Sequence, residues 1–331
     1  MLDEQHIQEL EDKFQPRARG KKTRYKRGRA HKQVIALITE QAGNRRHGWS
    51  GIAYPTPPPG IVEQGRDARA GFQPTFSGSR HEREWIVQYL GSFYEDNIIT
   101  DVLHPVKGGK EANVYCCAAH PNTGAILLAA KVYRPRIFRA LKNDALYREG
   151  TAMKNEEGQV IRNRRVKIAM EKKTEFGQKV LNTNWLANEF ESLRALHAAG
   201  ADVPKPFASG ENAMLIEYIG DAGAPAPPLN RVQLRRDEAR NLFERLLHNV
   251  ELMLAHDRVH ADLSAFNVLY WQGNVKIIDL PQAVNPLKNP HALALLTRDL
   301  TRLCAHFARY GIAADARQIA RGLWKKYRLP E

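Results

Sequence analysis

Residues 259–270 read VHADLSAFNVLY, and residues 275–279 read VKIID. These two stretches decide the reading. They carry Asp262, Asn267 five positions later, and Asp279 twelve positions beyond that. Each of these polar residues is set in apolar sequence. A carboxylate, a carboxamide and a second carboxylate are hard-oxygen donors, the kind Mg²⁺ takes. A polar loop between a helix and a hairpin would account for one of them, but not for all three flanked by strands.

The spacing Asp262-x-x-x-x-Asn267 is that of the kinase catalytic loop. There the Asp accepts the proton of the substrate hydroxyl, the Asn binds metal, and a later Asp at a strand end binds metal. Phosphoryl transfer relies on such groups because positioning and charge neutralisation supply most of the catalysis. Upstream, Lys131 ends the apolar run ILLAAK on the second strand of a predicted hairpin, within reach of nucleotide phosphates. Alone it could be a strand-edge lysine. Glu189 adds weight, because Trp185, Leu186, Phe190, Leu193 and Leu196 fall on one helical face and Glu189 lies inside that stripe. Glu191 points the other way. A carboxylate on a buried face needs a cationic partner, and Lys131 is the natural one. Gly108-Gly109 precedes the first hairpin strand and would let backbone approach phosphates, although a tight turn would use glycine too.

Working outward, the order of elements gives the class. A helix is predicted over 84–95, with Trp85, Ile86, Tyr89, Leu90 and Phe93 at helical spacing. Strand signals run from Ile98 to Val132, broken by the turn cluster HPNTG at 120–124. A helix follows over 184–199, with Asn182 or Thr183 as N-cap and Gly200 as stop. A strand is expected over 214–219, a long helix over 236–256, short strands around 268–270 and 275–278, and helices from about Ala292 onward. This is an α+β pattern of two lobes. Residues 136–182 show no clear core face and read as a flexible insertion.

The chain has 331 residues and 43% apolar content, which excludes fully disordered, collagen-like and disulfide-framework classes. Its net charge of +14 is unevenly placed. Residues 13–32 hold ten basic residues and no acidic one, and residues 134–179 are also strongly basic, so the remainder is close to neutral. The block at 13–32 is either a solvated, solubilising tail or an RNA-contacting arm, with Tyr25 and His31 interleaved for stacking. Residues 43–80 are rich in Gly, Pro and Ser and read as linker. The expected organisation is a basic, largely disordered extension over 1–80, an N-lobe over 81–220 and a helical C-lobe over 221–331. Three cysteines without metal-ligand spacing fit a reducing, cytoplasmic setting. No signal peptide or membrane-spanning run is expected.

Several segments together resemble one family. They are KGGKEANVY (107–115), AAKVYR (129–134), NEFESLRAL (188–196), MLIEYIG (214–220), VHADLSAFNVLY and IIDLPQAV (277–284). The chain resembles the RIO family of atypical serine/threonine protein kinases, and KEANVY is closest to its first subgroup. The resemblance implies a two-lobed protein-kinase-like fold, with a small β-rich N-lobe and a mostly helical C-lobe, lacking an activation segment. It implies ATP and Mg²⁺ as cofactors, with Mn²⁺ as a substitute. Asp262 would be the catalytic base, and Asn267 and Asp279 would hold the metal. Asp279 could also become an aspartyl-phosphate. Gly108, Gly109, Lys110, Val114, Lys131, Glu189, Met214, Glu217 and Ile219 would bind the nucleotide, the last two through backbone. The partners implied are ATP, a protein serine (on another protein or on the chain itself) and, through 13–32, RNA or a ribosomal particle. Family members act in small-subunit assembly. Two further readings stay open. One is a small-molecule phosphotransferase of the aminoglycoside or choline type, which shares H-x-D-x-x-x-x-N. The other is an RNA or preribosome factor that uses ATP as a switch.

Overall fold

The computed structural model describes residues 71–76, 78–109, 112–133 and 175–330. The basic block 13–32 and the expected insertion, up to residue 174, lie outside the described residues. So does Lys110.

Ser79 opens the first helix, α1 (Arg80–Glu95), by accepting the Glu82 N–H at 3.3 Å. Ser79 and Glu82 have the spacing of a capping box. α1 lays Ile86, Leu90 and Phe93 onto a five-stranded antiparallel sheet. Its strands are β1 (Ile99–Gly108), β2 (Ala112–Ala119), β3 (Leu127–Tyr133), β4 (Pro206–Ser209) and β5 (Ala213–Glu217), in the order β1-β2-β3-β5-β4. β-branched and aromatic residues suit such strands. Alternation divides β3 between two environments. Leu128, Ala130 and Val132 join the core under α1, whereas Ala129, Lys131 and Tyr133 face the other way, toward the second lobe.

The linker expected through residue 80 ends sooner. Phe76 is buried in the α1 core, Phe72 packs against Tyr94, and the Thr75 N–H donates to Asp101 at 2.7 Å. Two aromatics four apart supplied an anchor that the Gly/Pro-rich composition masked.

Helix α2 (Glu175–Ala198) begins nine residues before its predicted start. Asn182 and Thr183 therefore lie inside it and do not cap it. Its first two turns lack an apolar stripe, so periodicity gave no signal there. It stops as expected, with Gly200 at φ 81°.

The larger lobe holds α3 (Arg236–Ala255), the hairpin β6 (Val268–Trp271) and β7 (Asn274–Ile277), then α4 (Ala292–Ala308) and α5 (Ala316–Lys326). Gln272 and Gly273, at φ 49° and 80°, form the two-residue hairpin turn. Its core includes Leu242, Phe243, Leu246, Val250, Met253, Leu296, Leu300, Leu303 and Phe307. Residues 280–291 run as a loop directly from Asp279 to α4, so the expected lack of an activation segment holds. The fold is the expected α+β, two-lobed arrangement. Among the described residues, no helix is long and apolar enough to cross a membrane.

Candidate active site

Lys131 stands in the middle of β3 with Val114 of β2 and Met214 of β5 as its cross-strand partners. The three form one row on the cleft face of the sheet. Met214 is fully buried. Beside this row, Cys116, Ala129 and Tyr218 cluster with Val114 and Ile216 to make an apolar floor. Alternation from Lys131 along β3 is the signal that puts Ala129 on this face.

The Lys131 ammonium donates to Glu189 Oε1 and to Asp279 Oδ1, each at 2.7 Å. Glu189 is 2% exposed, as its place in an apolar stripe required. Tyr133 completes its coordination, with its hydroxyl donating to Glu189 Oε2. Tyr133 lies two residues beyond Lys131 on the same face of β3, and that alternation is the sequence signal for it. Burial pushes the lysine pKa down, but the carboxylates of Asp279 and Glu189 more than offset it and hold it well above its ordinary value. Burial also pushes the Asp279 carboxyl up, and the adjoining ammonium overcomes that and holds it below the usual carboxylate range. The triad is therefore one cation between two anions.

The loop carrying Asp262 is held by His260, which is buried. His260 Nδ1 accepts the Asp262 N–H at 3.3 Å, and Nε2 lies 3.2 Å from the Ile278 carbonyl. Burial lowers its pKa, so the ring is neutral at pH 7, with its proton on Nε2 as these partners require. Asn267 donates through Nδ2 to the Asp262 carbonyl at 2.9 Å and to Asp262 Oδ2 at 3.3 Å. The Ile278 N–H in turn donates to the Asn267 carbonyl at 2.9 Å. These bonds tie the Asp262 loop to the Asp279 loop. Ala261 and Asp279 both have left-handed backbone, at φ 63° and 71°. Such strain in non-glycine residues persists only where the surroundings impose it, and functional sites are where it collects.

Helix α4 adds two residues that nothing local in the sequence pointed to. Arg298 donates to the Ala261 carbonyl, and Arg302 Nη1 lies 2.7 Å from Asp262 Oδ1. Pairs as exposed as Arg302 and Asp262 are worth about 0–1 kcal/mol.

Asn267 and Asp279 supply one amide oxygen and one carboxylate. The Asn267 amide nitrogen is turned to Asp262, so Oδ1 is the atom free to ligate. Mg²⁺ usually takes one or two carboxylates and completes its octahedron with phosphates and water, so this sparse hard-oxygen set fits it. Among the described residues there is no cluster of three or more His, Cys, Asp or Glu able to hold a metal by itself. Of the other expected nucleotide contacts, Gly109 is sterically required, because a Cβ there would meet the Ala112 carbonyl oxygen at 2.8 Å. Gly108 is not, its nearest neighbour being Asn113 Oδ1 at 3.9 Å. At the segment joining the lobes, the Glu217 N–H bonds Lys205 O and the Ile219 carbonyl accepts from Ala226.

A β-rich lobe carrying a lysine–glutamate pair, set over a helical lobe carrying Asp262, Asn267 and Asp279, defines a protein-kinase-like class. Residues 114–319 match the RIO domain, more than half of the chain, and the chain belongs to that family. It is 33% identical over 224 residues to the human serine/threonine-protein kinase RIO1, covering 65% of this chain and 35% of that protein. It is 34% identical over 142 residues to the RIO-type serine/threonine-protein kinase Rio1 of Thermoplasma acidophilum, covering 43% of this chain and 73% of that protein. The Haloferax volcanii Rio1 is 29% identical over 221 residues, 64% of each chain. The chain spans about a third of the length of its human and worm relatives. These relatives bear out the first subgroup.

Proposed function

We propose that the chain is an ATP- and Mg²⁺-dependent serine/threonine kinase or ATPase of the RIO type. The observation that carries this reading is the Lys131 ammonium held at 2.7 Å by both Glu189 and Asp279, the latter on a loop tied through Asn267 to Asp262. Lys131 would hold nucleotide phosphates, with Glu189 and Tyr133 fixing its position. Asp262 would take the proton of the attacking hydroxyl, or orient it. Asn267 and Asp279 would hold Mg²⁺, which neutralises phosphate charge when bound. The acceptor is a protein serine, or the phosphoryl group passes to Asp279 and then to water.

The test follows the γ-phosphate of ATP in the full chain, with and without ribosomal particles, against Asp262→Ala. Label on serine, on Asp279 or in free phosphate separates kinase from ATPase turnover. Undiminished transfer in Asp262→Ala would sink the assignment. Transfer to an aminoglycoside or to choline, and to no protein, would point to the small-molecule class instead.

A ribosomal RNA partner is part of the same reading. Its support is the basic run 13–32, ten positive charges with interleaved Tyr25 and His31. Deleting residues 1–35 should weaken RNA binding and flatten its salt dependence. A cytoplasmic location fits the three free, buried cysteines.

A further inference from the structure

We propose that Arg302 is a specificity-determining residue of the acceptor site, and that the acceptor is an acidic protein segment with an anionic side chain beside the reacting hydroxyl. This rests on the phosphoryl-transfer reading. Arg302 stands on α4 one turn after Arg298, and the two engage the catalytic loop together. Arg298 holds the Ala261 carbonyl, which fixes the strained backbone before Asp262. Arg302 instead holds the reacting group, through Nη1 on Asp262 Oδ1. In the usual kinase loop an arginine directly precedes the aspartate. Here that position is Ala261, and the cation arrives from a separate helix.

Exposure gives the contact its meaning. The Arg302 and Asp262 side chains are 42% and 47% exposed. A hydroxyl approaching Asp262 from solvent must take a carboxylate oxygen. Asn267 lies on Oδ2, so Oδ1 is the more open oxygen, and a hydroxyl bonded there comes to rest beside the Arg302 guanidinium. A guanidinium carries five donors, and among the described residues only Nη1 of Arg302 is engaged by a side chain. Its remaining donors stand beside the acceptor as a planar fork suited to a carboxylate or phosphate. An acidic segment pairs the cation and competes for it with Asp262. A basic segment is repelled and leaves Arg302 on Asp262.

The test uses the full chain, Mg-ATP and two serine peptides that differ only in Glu or Lys at the flanking positions. The expected preference in kcat/KM is about tenfold or more for the Glu peptide. Arg302→Ala should bring the two within about twofold, mainly through KM. Arg302→Lys should keep part of the preference, and Arg302→Glu should invert it. A preference that survives Arg302→Ala overturns the inference. So does an equal loss of kcat on both peptides with parallel loss of ATP hydrolysis, which would mark a structural role. ATP hydrolysis that depends on Asp262, with no transfer to either peptide, overturns the acceptor inference and leaves the ATPase reading standing. An absence of any ATP turnover overturns both.

Discussion

Lys131 Nζ lies 2.7 Å from Asp279 Oδ1, joining the sheet of the small lobe to the loop that follows the β6–β7 hairpin of the large one. The same ammonium reaches Glu189 on α2. One cation thus sets the relative position of three segments far apart in sequence, and the site exists only when all three meet.

Removing Glu189 should be costly. Its carboxylate is 2% exposed and receives both Lys131 and Tyr133. Breaking a buried pair from one side costs about 3–5 kcal/mol, and the lower end applies because Lys131 keeps Asp279. Glu189→Ala should therefore lose about 3 kcal/mol in urea unfolding and raise KM for ATP. Wild-type KM in a folded Glu189→Ala protein would count against the positioning role.

Tyr133→Phe removes one donor and leaves the ring in its core. A buried carboxylate deprived of a hydrogen bond costs about 1–3 kcal/mol. Both stability and ATP affinity should fall, by less than in Glu189→Ala. In the double variant the two losses should add to less than their sum, since both act on one carboxylate. Strict additivity would show that Tyr133 acts elsewhere.

Much of the site was readable in the sequence because its polar residues interrupt apolar runs. Asp262, Asn267 and Asp279 stand out in this way, and Glu189 interrupts a helical stripe. The start of α2 was not legible, since residues 175–183 lack a stripe and their neighbours gave no cap. The β4 strand, four residues long, is too short to carry a period. Arg302 was illegible for another reason. Its partner is 40 residues away, and nothing in an amphipathic helix marks which exposed arginine will meet a distant loop.

Asp299 predicts a pH dependence outside the reacting groups. Burial on α4 pushes its carboxyl up to about 7 from 3.8, while the Leu263 backbone and Arg298 pull the other way without cancelling it. The protonated form therefore favours the fold. That support is complete below about pH 4 and is lost as pH rises through about 7. The shift corresponds to on the order of 4 kcal/mol. Asp299→Asn should flatten the stability profile between pH 4 and 8 and exceed wild type at pH 8 in urea unfolding. An unchanged pH slope would show that the carboxyl ionises freely in the folded chain.

The two glycines before β2 make separable predictions. A Cβ at Gly109 would lie 2.8 Å from the Ala112 carbonyl oxygen, closer than real Cβ contacts, so the backbone at Gly109 or Ala112 must shift. At Gly108 the nearest atom is Asn113 Oδ1 at 3.9 Å, an ordinary contact. If this turn approaches nucleotide phosphates, a displacement of even 1 Å matters, since misplacement on that scale can cost on the order of 10²-fold. Gly109→Ala should raise KM for ATP by about tenfold or more, whereas Gly108→Ala should stay near wild type. Thermal unfolding of both variants separates this effect from loss of fold. Equal KM values for the two folded variants would remove the turn from the nucleotide site.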